Sequence, residues 1–161
     1  REIELMRKVG SSGYAQGQAA QGRFLKERGY SDEVIGLAES VGGGVLLDFL
    51  VDPKASELKV RVDIPIQKLV VHYVDDIVLN NDIVPLKDRI AYLLTVPAYK
   101  ELNEAGRQDF NGRTAFDVQF EVSRQIEERL AGLLNVDPPE LLPNFIRGKI
   151  EERIKAGANS K

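Results

Sequence analysis

The segment from Lys68 to Leu94 constrains the fold most, because it places two adjacent carboxylates inside an otherwise apolar helical pattern. Apolar residues recur there at helical spacing, and valines cover the neighbouring side, so the pattern predicts a helix largely surrounded by protein. The expected core residues of this helix are Leu69, Val70, Tyr73, Val74 and Ile77. A carboxylate in such surroundings costs several kcal/mol unless it is paired, hydrogen-bonded or bound to a metal. Asp75 and Asp76 are therefore candidates for function.

Two stretches of this half of the chain carry a family resemblance. Residues 68–75 read KLVVHYVD and residues 83–89 read IVPLKDR. They resemble the last ligand motif of the HD superfamily of metal-dependent phosphohydrolases, roughly K-[IL]-V-x-x-A-D followed by V-x-L-x-x-R. Upstream, residues 21–35 read QGRFLKERGYSDEVI and are similar to two further helices of that family. The resemblance covers residues 14 to 95.

The resemblance implies an all-α fold and a metal-dependent chemistry. We expect a single domain of about seven helices over residues 1–161, with an HD-like core at about 14–95 and a C-terminal helical extension at about 98–157. In such a domain a divalent metal polarises a phosphate ester or nucleotide and activates a water, and Asp75 is the one residue that matches a metal ligand.

The remaining ligands of the family are missing from this sequence. The chain has one His and no Cys, and Gln18 and Val41 occupy positions where the family often has His. One carboxylate cannot hold a transition metal against water, so we expect an incomplete metal site and no bound metal in this chain. The chain begins at Arg1, and either an upstream His-Asp segment is missing or the site has decayed. Whether the protein is an enzyme stays open.

The roles of His72 and Asp76 have more than one interpretation. His72 precedes Asp75 and Asp76 by three and four residues, a spacing that allows a ring and a carboxylate to meet. A hydrogen-bonded His-Asp pair on a partly exposed strip is preferred over a metal site, since no further His or Cys exists. A Mg²⁺ or Ca²⁺ site built from Asp75, Asp76 and Asp82 stays open, because these ions accept carboxylate oxygens.

The composition of the chain limits the classes of partner that we expect it to bind. A net charge of −3 gives no basic field for nucleic acid, and no apolar run approaches the roughly 20 residues of a membrane span. We expect a cytoplasmic protein that has no membrane or nucleic-acid partner. The sequence is compatible with a homo-oligomer. A phosphorylated small molecule or nucleotide is the ligand that the resemblance implies. The rival reading is a non-catalytic helical interaction or scaffold module, and a chance match by an unrelated helical bundle is the third.

Local signals predict several boundaries. Gly29 should end one helix and Ser31 should cap the next, while Thr114 with Asp117 forms a capping-box pattern. Asp137 should cap a last helix that begins at Pro138. A small β-hairpin near residues 45–63 is an alternative there, since residues 58–62 alternate like a strand.

Two further motifs are interpreted as structural features rather than functional sites. The glycine clusters at residues 10–13 and 42–44 are expected to terminate helices rather than bind phosphate, because neither carries the Lys-Ser/Thr of a P-loop. The charged pairs in the C-terminal helices, which include Glu127 and Glu128, are expected to form solvated faces.

Overall fold

The computed structural model describes residues 23–39, 51–52 and 55–158, and this part of the chain is mostly helical. Residues 23–27 are helical. The elements that follow are α1 (Asp32–Glu39), α2 (Ile66–Ile77), β1 (Val78–Leu79), β2 (Asp82–Ile83), α3 (Leu86–Leu93), α4 (Pro97–Asp109), α5 (Ala115–Leu134) and α6 (Leu142–Ala158). A 3-10 turn, Pro139–Leu141, leads into α6. The predicted all-α class with a small hairpin is confirmed.

The hairpin of the described residues lies directly after α2. The position predicted for it, near residues 45–63, falls partly outside the described residues, and residues 55–63 form no strand. Its two strands pair antiparallel, with Val78 opposite Ile83 and Leu79 opposite Asp82. Asn80 and Asn81 form the turn with φ of 51° and 71°, the left-handed conformation that a two-residue hairpin turn requires.

Residues 58–60, which alternate like a strand, have no strand partner in the described part. The side-chain amide of Gln125 on α5 takes the place of a neighbouring strand. Its Nε2 donates to the Leu58 carbonyl at 2.8 Å, and its Oε1 accepts from the Val60 N–H at 3.0 Å. One glutamine thus ties this segment to α5.

The core forms around α5, which packs against α2, α3 and α4. On α2 the predicted core residues Leu69, Tyr73 and Ile77 have no exposed surface. The prediction is wrong for Val70, which is 41% exposed, and only partly right for Val74, which is half-buried. Residues spaced by four share one side of the helix, and each valine lies about 100° around from that stripe. The described elements therefore cover one side of α2 rather than its whole circumference.

Most predicted helix ends are confirmed. Gly29 has φ 77°, and the N–H groups of Tyr30 and Gly29 donate to the carbonyls of Leu25 and Lys26, a Schellman arrangement. The Val34 N–H lies 3.4 Å from Ser31 Oγ, as expected of the cap of α1. At the start of α5 a second cap is complete.

That second cap is the box formed by Thr114 and Asp117. Thr114 Oγ1 accepts from the Asp117 N–H at 3.1 Å, and Asp117 Oδ2 accepts from the Thr114 N–H at 3.2 Å. Asn103 of α4 adds a third bond, since its Oδ1 accepts from the Phe116 N–H at 2.8 Å. Side chains therefore accept hydrogen bonds from three backbone N–H groups at the start of α5, those of Thr114, Phe116 and Asp117.

The predicted cap at Asp137 is wrong. The chain forms a 3-10 turn over Pro139–Leu141 without a side-chain cap, and α6 begins at Leu142. An N-cap oxygen at residue 137 would accept from the backbone N–H two or three residues later. The first of these residues is Pro139, which has no N–H, so little remains for Asp137 to bind.

The C-terminal half of α6 extends away from the core. Every residue from Lys149 to Ala156 is exposed, and Ile150 and Ile154 are 47% and 65% exposed. Nearer its start, α6 contributes Leu142 to the core, and Ile146 packs partly against it. Among the described helices, none has the length and apolar character needed to cross a membrane.

Candidate functional site

Asp76 lies between α2 and α5 and is bound to both of its neighbours on α5. It is 3% exposed. Gln119 Nε2 donates to its Oδ1 at 2.6 Å, and Ser123 Oγ donates to its Oδ2. Gln119 and Ser123 are one helical turn apart, so they present two donors to one carboxylate. These bonds compensate the burial of Asp76 and join α2 to α5.

His72 lies one turn before Asp76 and is also buried, with 6% of its surface exposed. Its Nε2 is 3.2 Å from Asp76 Oδ2. The direction of approach is not that of a hydrogen bond, and this nitrogen has no hydrogen-bond partner among the described residues. His72 and Asp76 lie together as their spacing predicts, but the predicted hydrogen bond between them is wrong, because Nε2 has no such partner. The predicted partly exposed strip is also wrong, because this side of α2 faces α5. The only imidazole of the chain is enclosed.

Asp75 lacks the hydrogen bonds to α5 that hold Asp76. Its residue surface is exposed, and it makes no hydrogen bond or ion pair with any described residue. The pKa of the Asp75 carboxyl is raised, first because protein atoms displace part of its water and then because Asp76 is negatively charged. Arg89 and His72 act in the opposite direction. Asp75 is therefore the uncommitted member of the pair.

Among the described cations, Arg89 of α3 lowers the pKa of Asp75 most. It is half-buried, its Nε is shielded from solvent without a hydrogen-bond partner, and no ion pair joins it to a described carboxylate. The guanidinium of Arg89 therefore favours the charged form of Asp75 without forming an ion pair with it. This residue belongs to the Leu86-x-x-Arg89 motif of the sequence, but only the structure places its charge beside Asp75.

A second polar contact between α2 and α5 joins Tyr73 and Glu127. The hydroxyl of Tyr73 donates to Glu127 Oε1, and the two residues are 0% and 5% exposed. The prediction that Glu127 lies on a solvated face is wrong. Gln119, Ser123 and Glu127 are spaced by four residues along α5, and this spacing alone could have indicated a polar stripe directed at one neighbour.

The described residues do not assemble a metal site. No group of three or more His, Cys, Asp or Glu in residues 23–39, 51–52 and 55–158 is placed to hold an ion. The alternative trio of Asp75, Asp76 and Asp82 is not brought together. Gln18, Val41 and the two glycine clusters lie outside the described residues.

A polar groove of about 650 Å³ lies apart from Asp75, between α5 and residues 56–59. Its charged side chains are already engaged. Arg113 donates to the Ala55 carbonyl at 3.2 Å and also to that of Ser56, Arg124 is paired with Glu121 and Glu128, and Lys59 pairs with Glu57 at 3.1 Å. With its opposite charges paired, the groove presents no single sign to a ligand.

Comparison of the chain with protein-family models, curated proteins and solved structures found no match.

Proposed function

We propose that this chain is an HD-superfamily phosphohydrolase-like domain with an incomplete metal site, and that its ligands are phosphate esters or nucleotides. The supporting observation is the contrast between two adjacent carboxylates. Asp76 is fully engaged by Gln119 and Ser123, whereas Asp75, at the position that resembles a family ligand, has no described partner. A carboxylate that no described residue engages can contact a ligand without first losing a bond within the protein.

The residues present do not fit a transition-metal centre. Such a centre needs three or four nitrogen, sulfur or oxygen ligands, and Asp75 is alone among the described residues. His72 is enclosed beside Asp76, and the sequence has no second His and no Cys. We therefore derive no hydrolytic step and assign the domain to binding.

Arg89 supports phosphate as the ligand group. A guanidinium binds phosphate oxygens in a planar, bidentate geometry, and Arg89 has no described hydrogen-bond or ion-pair partner. Its charge acts on the surroundings of Asp75, so a phosphate there would bring its negative charge next to a compensating cation. We assign Arg89 to phosphate binding in this proposal.

Elemental analysis and ligand binding test the proposal together. Purified protein should carry no stoichiometric Fe, Mn, Zn or Co and should not hydrolyse a phosphomonoester. Adenosine monophosphate at millimolar concentration should raise the thermal midpoint of the wild type but not of Arg89→Gln. Arg124→Gln, which removes a guanidinium outside the site, is the control. Bound metal at about one ion per chain, together with hydrolysis that a chelator abolishes, would show that the metal site is complete. An unchanged midpoint at every ligand concentration, without metal, would refute phosphate as the ligand.

One observation favours the second candidate, a non-catalytic helical interaction module. Ile150 and Ile154 are exposed on the outer half of α6, and no described residue covers them. Light scattering over a range of protein concentrations should then detect self-association that Ile154→Glu removes. Ala156→Glu introduces the same charge on a different side of α6 and should leave it unchanged. A wild-type monomer at every concentration would contradict self-association as the role of this surface.

A further inference from the structure

The pair formed by Tyr73 and Glu127 is a buried acid in contact with a neutral donor. Tyr73 lies in the middle of α2 and has no exposed surface, and Glu127 lies in the middle of α5 with 5% of its surface exposed. The phenol hydroxyl donates to Glu127 Oε1. The contact joins the two helices that enclose Asp76 one turn further along.

The charges around Glu127 oppose its ionisation. No described cation lies at ion-pair distance from its carboxylate, and Arg124, the one described cation that favours the charged form, is already bound to Glu121 and Glu128. Glu128 on α5 and Glu140 in the 3-10 turn add negative charge. Burial raises the pKa of Glu127 most, the two glutamates raise it further, and the bond from Tyr73 lowers it in part.

We propose that Glu127 makes the packing of α2 on α5 sensitive to pH, so that the interface is tighter in mildly acidic solution and weaker once Glu127 is ionised. A buried carboxylate compensated by one neutral hydrogen bond is costly, whereas the protonated acid is not. In the unfolded chain the same group is solvated and titrates at about 4.3. Its protonation therefore favours the folded state.

The direction of the effect follows from linkage. Because the pKa of Glu127 is raised in the folded protein, its stabilising contribution is complete below the ordinary glutamate value and is lost as pH rises through the raised value. The pKa of Tyr73 is also raised, above an ordinary value near 10, so the phenol stays protonated in the range of interest. On α2, the titratable groups beside Tyr73 are His72, Asp75 and Asp76.

Thermal unfolding from pH 5 to pH 8 of the wild type and Glu127→Gln tests the proposal. The substituted amide has no charge and keeps an acceptor for the Tyr73 hydroxyl, while the groups on α2 are the same in both proteins. The wild-type midpoint should fall relative to that of Glu127→Gln by about 3 °C or more over this range. Glu151→Gln removes an exposed carboxylate on the outer half of α6 that does not act on Glu127, and its difference from the wild type should stay constant with pH.

Carbon-13 NMR of the glutamate carboxyl groups provides a readout that does not depend on how well the variant folds. The Glu127 signal should titrate above about 4.3 in the wild type and higher still in Tyr73→Phe, which removes the hydrogen bond that favours the charged form. Titration of Glu127 at or below the ordinary value would overturn the proposal. So would a pH-independent difference between the wild type and a folded Glu127→Gln.

Discussion

The interface between α2 and α5 and the outer half of α6 distribute polar and apolar groups in opposite ways. Between α2 and α5, polar side chains are buried and mostly bonded, as with Asp76 and Glu127. On the outer half of α6, the apolar side chains of Ile150 and Ile154 are 47% and 65% exposed. Two helices of one chain therefore depart from the usual pattern for different reasons.

The difference shows what each departure costs. A buried carboxylate requires donors in fixed positions, so Asp76 commits Gln119 and Ser123 as well as itself. An exposed isoleucine requires nothing of its neighbours and costs only the burial that it forgoes. The α2–α5 interface should consequently be sensitive to single substitutions, and the outer half of α6 should be tolerant of them.

The largest contrast is expected from truncating one apolar side chain in each region. Leu69→Ala leaves a cavity against α5 and should reduce the free energy of unfolding by about 2–5 kcal/mol. Ile150→Ala removes a side chain that is 47% exposed and should cost well under half as much. Urea denaturation of both variants measures the difference. Equal losses would mean that α6 is covered over its outer half in the folded protein.

A second contrast lies within two residues of α2. Asp76→Ala removes the acceptor of both Gln119 Nε2 and Ser123 Oγ, and two donors without a partner should cost about 2–4 kcal/mol. Asp75→Ala removes an exposed side chain without a described partner and should change stability by about 0.5 kcal/mol or less. Chemical denaturation at neutral pH compares them directly. A large loss in Asp75→Ala would give Asp75 a structural role and weaken the proposed ligand site.

The sequence predicts the helices and several of their ends because those signals are local. The box of Thr114 and Asp117 is visible in four consecutive residues, and Gly29 stands directly after its helix. The cap at Asp137 failed although its pattern is local too, because Pro139 removes one of the two N–H groups that the cap could bind and Pro138 is extended rather than helical. Local signals are reliable only when every atom that they require is present.

The candidate site is less predictable from sequence because its partners are distant along the chain. Asp76 and Asp75 have almost the same apolar flanks, and only the position of Gln119, some forty residues later, separates a structural carboxylate from an uncommitted one. The burial of Glu127 likewise depends on Tyr73 across the interface. The sequence identified the pair of aspartates but could not assign their separate roles.

The smallest of the expected losses of stability at a buried position concerns one of two helical glycines. A Cβ added at Gly106 of α4 would lie 2.5 Å from the Ala115 backbone nitrogen and 2.9 Å from its Cα, and these are backbone atoms that cannot rotate away. Gly106→Ala should therefore separate α4 from the start of α5 and cost about 1–3 kcal/mol, despite the better helix propensity of alanine. The close approach of these two helices depends on the missing side chain.

Gly148 of α6 is the matched control, because a Cβ there would have no heavy atom within 4 Å. Gly148→Ala should stabilise the protein by about 0.5–1 kcal/mol through helix propensity alone. Thermal unfolding of both variants gives opposite signs if the two regions differ as described. A stabilising Gly106→Ala would show that α4 and α5 can separate at no cost, and the bond from the Phe116 N–H to Asn103 Oδ1 would then not fix the distance between them.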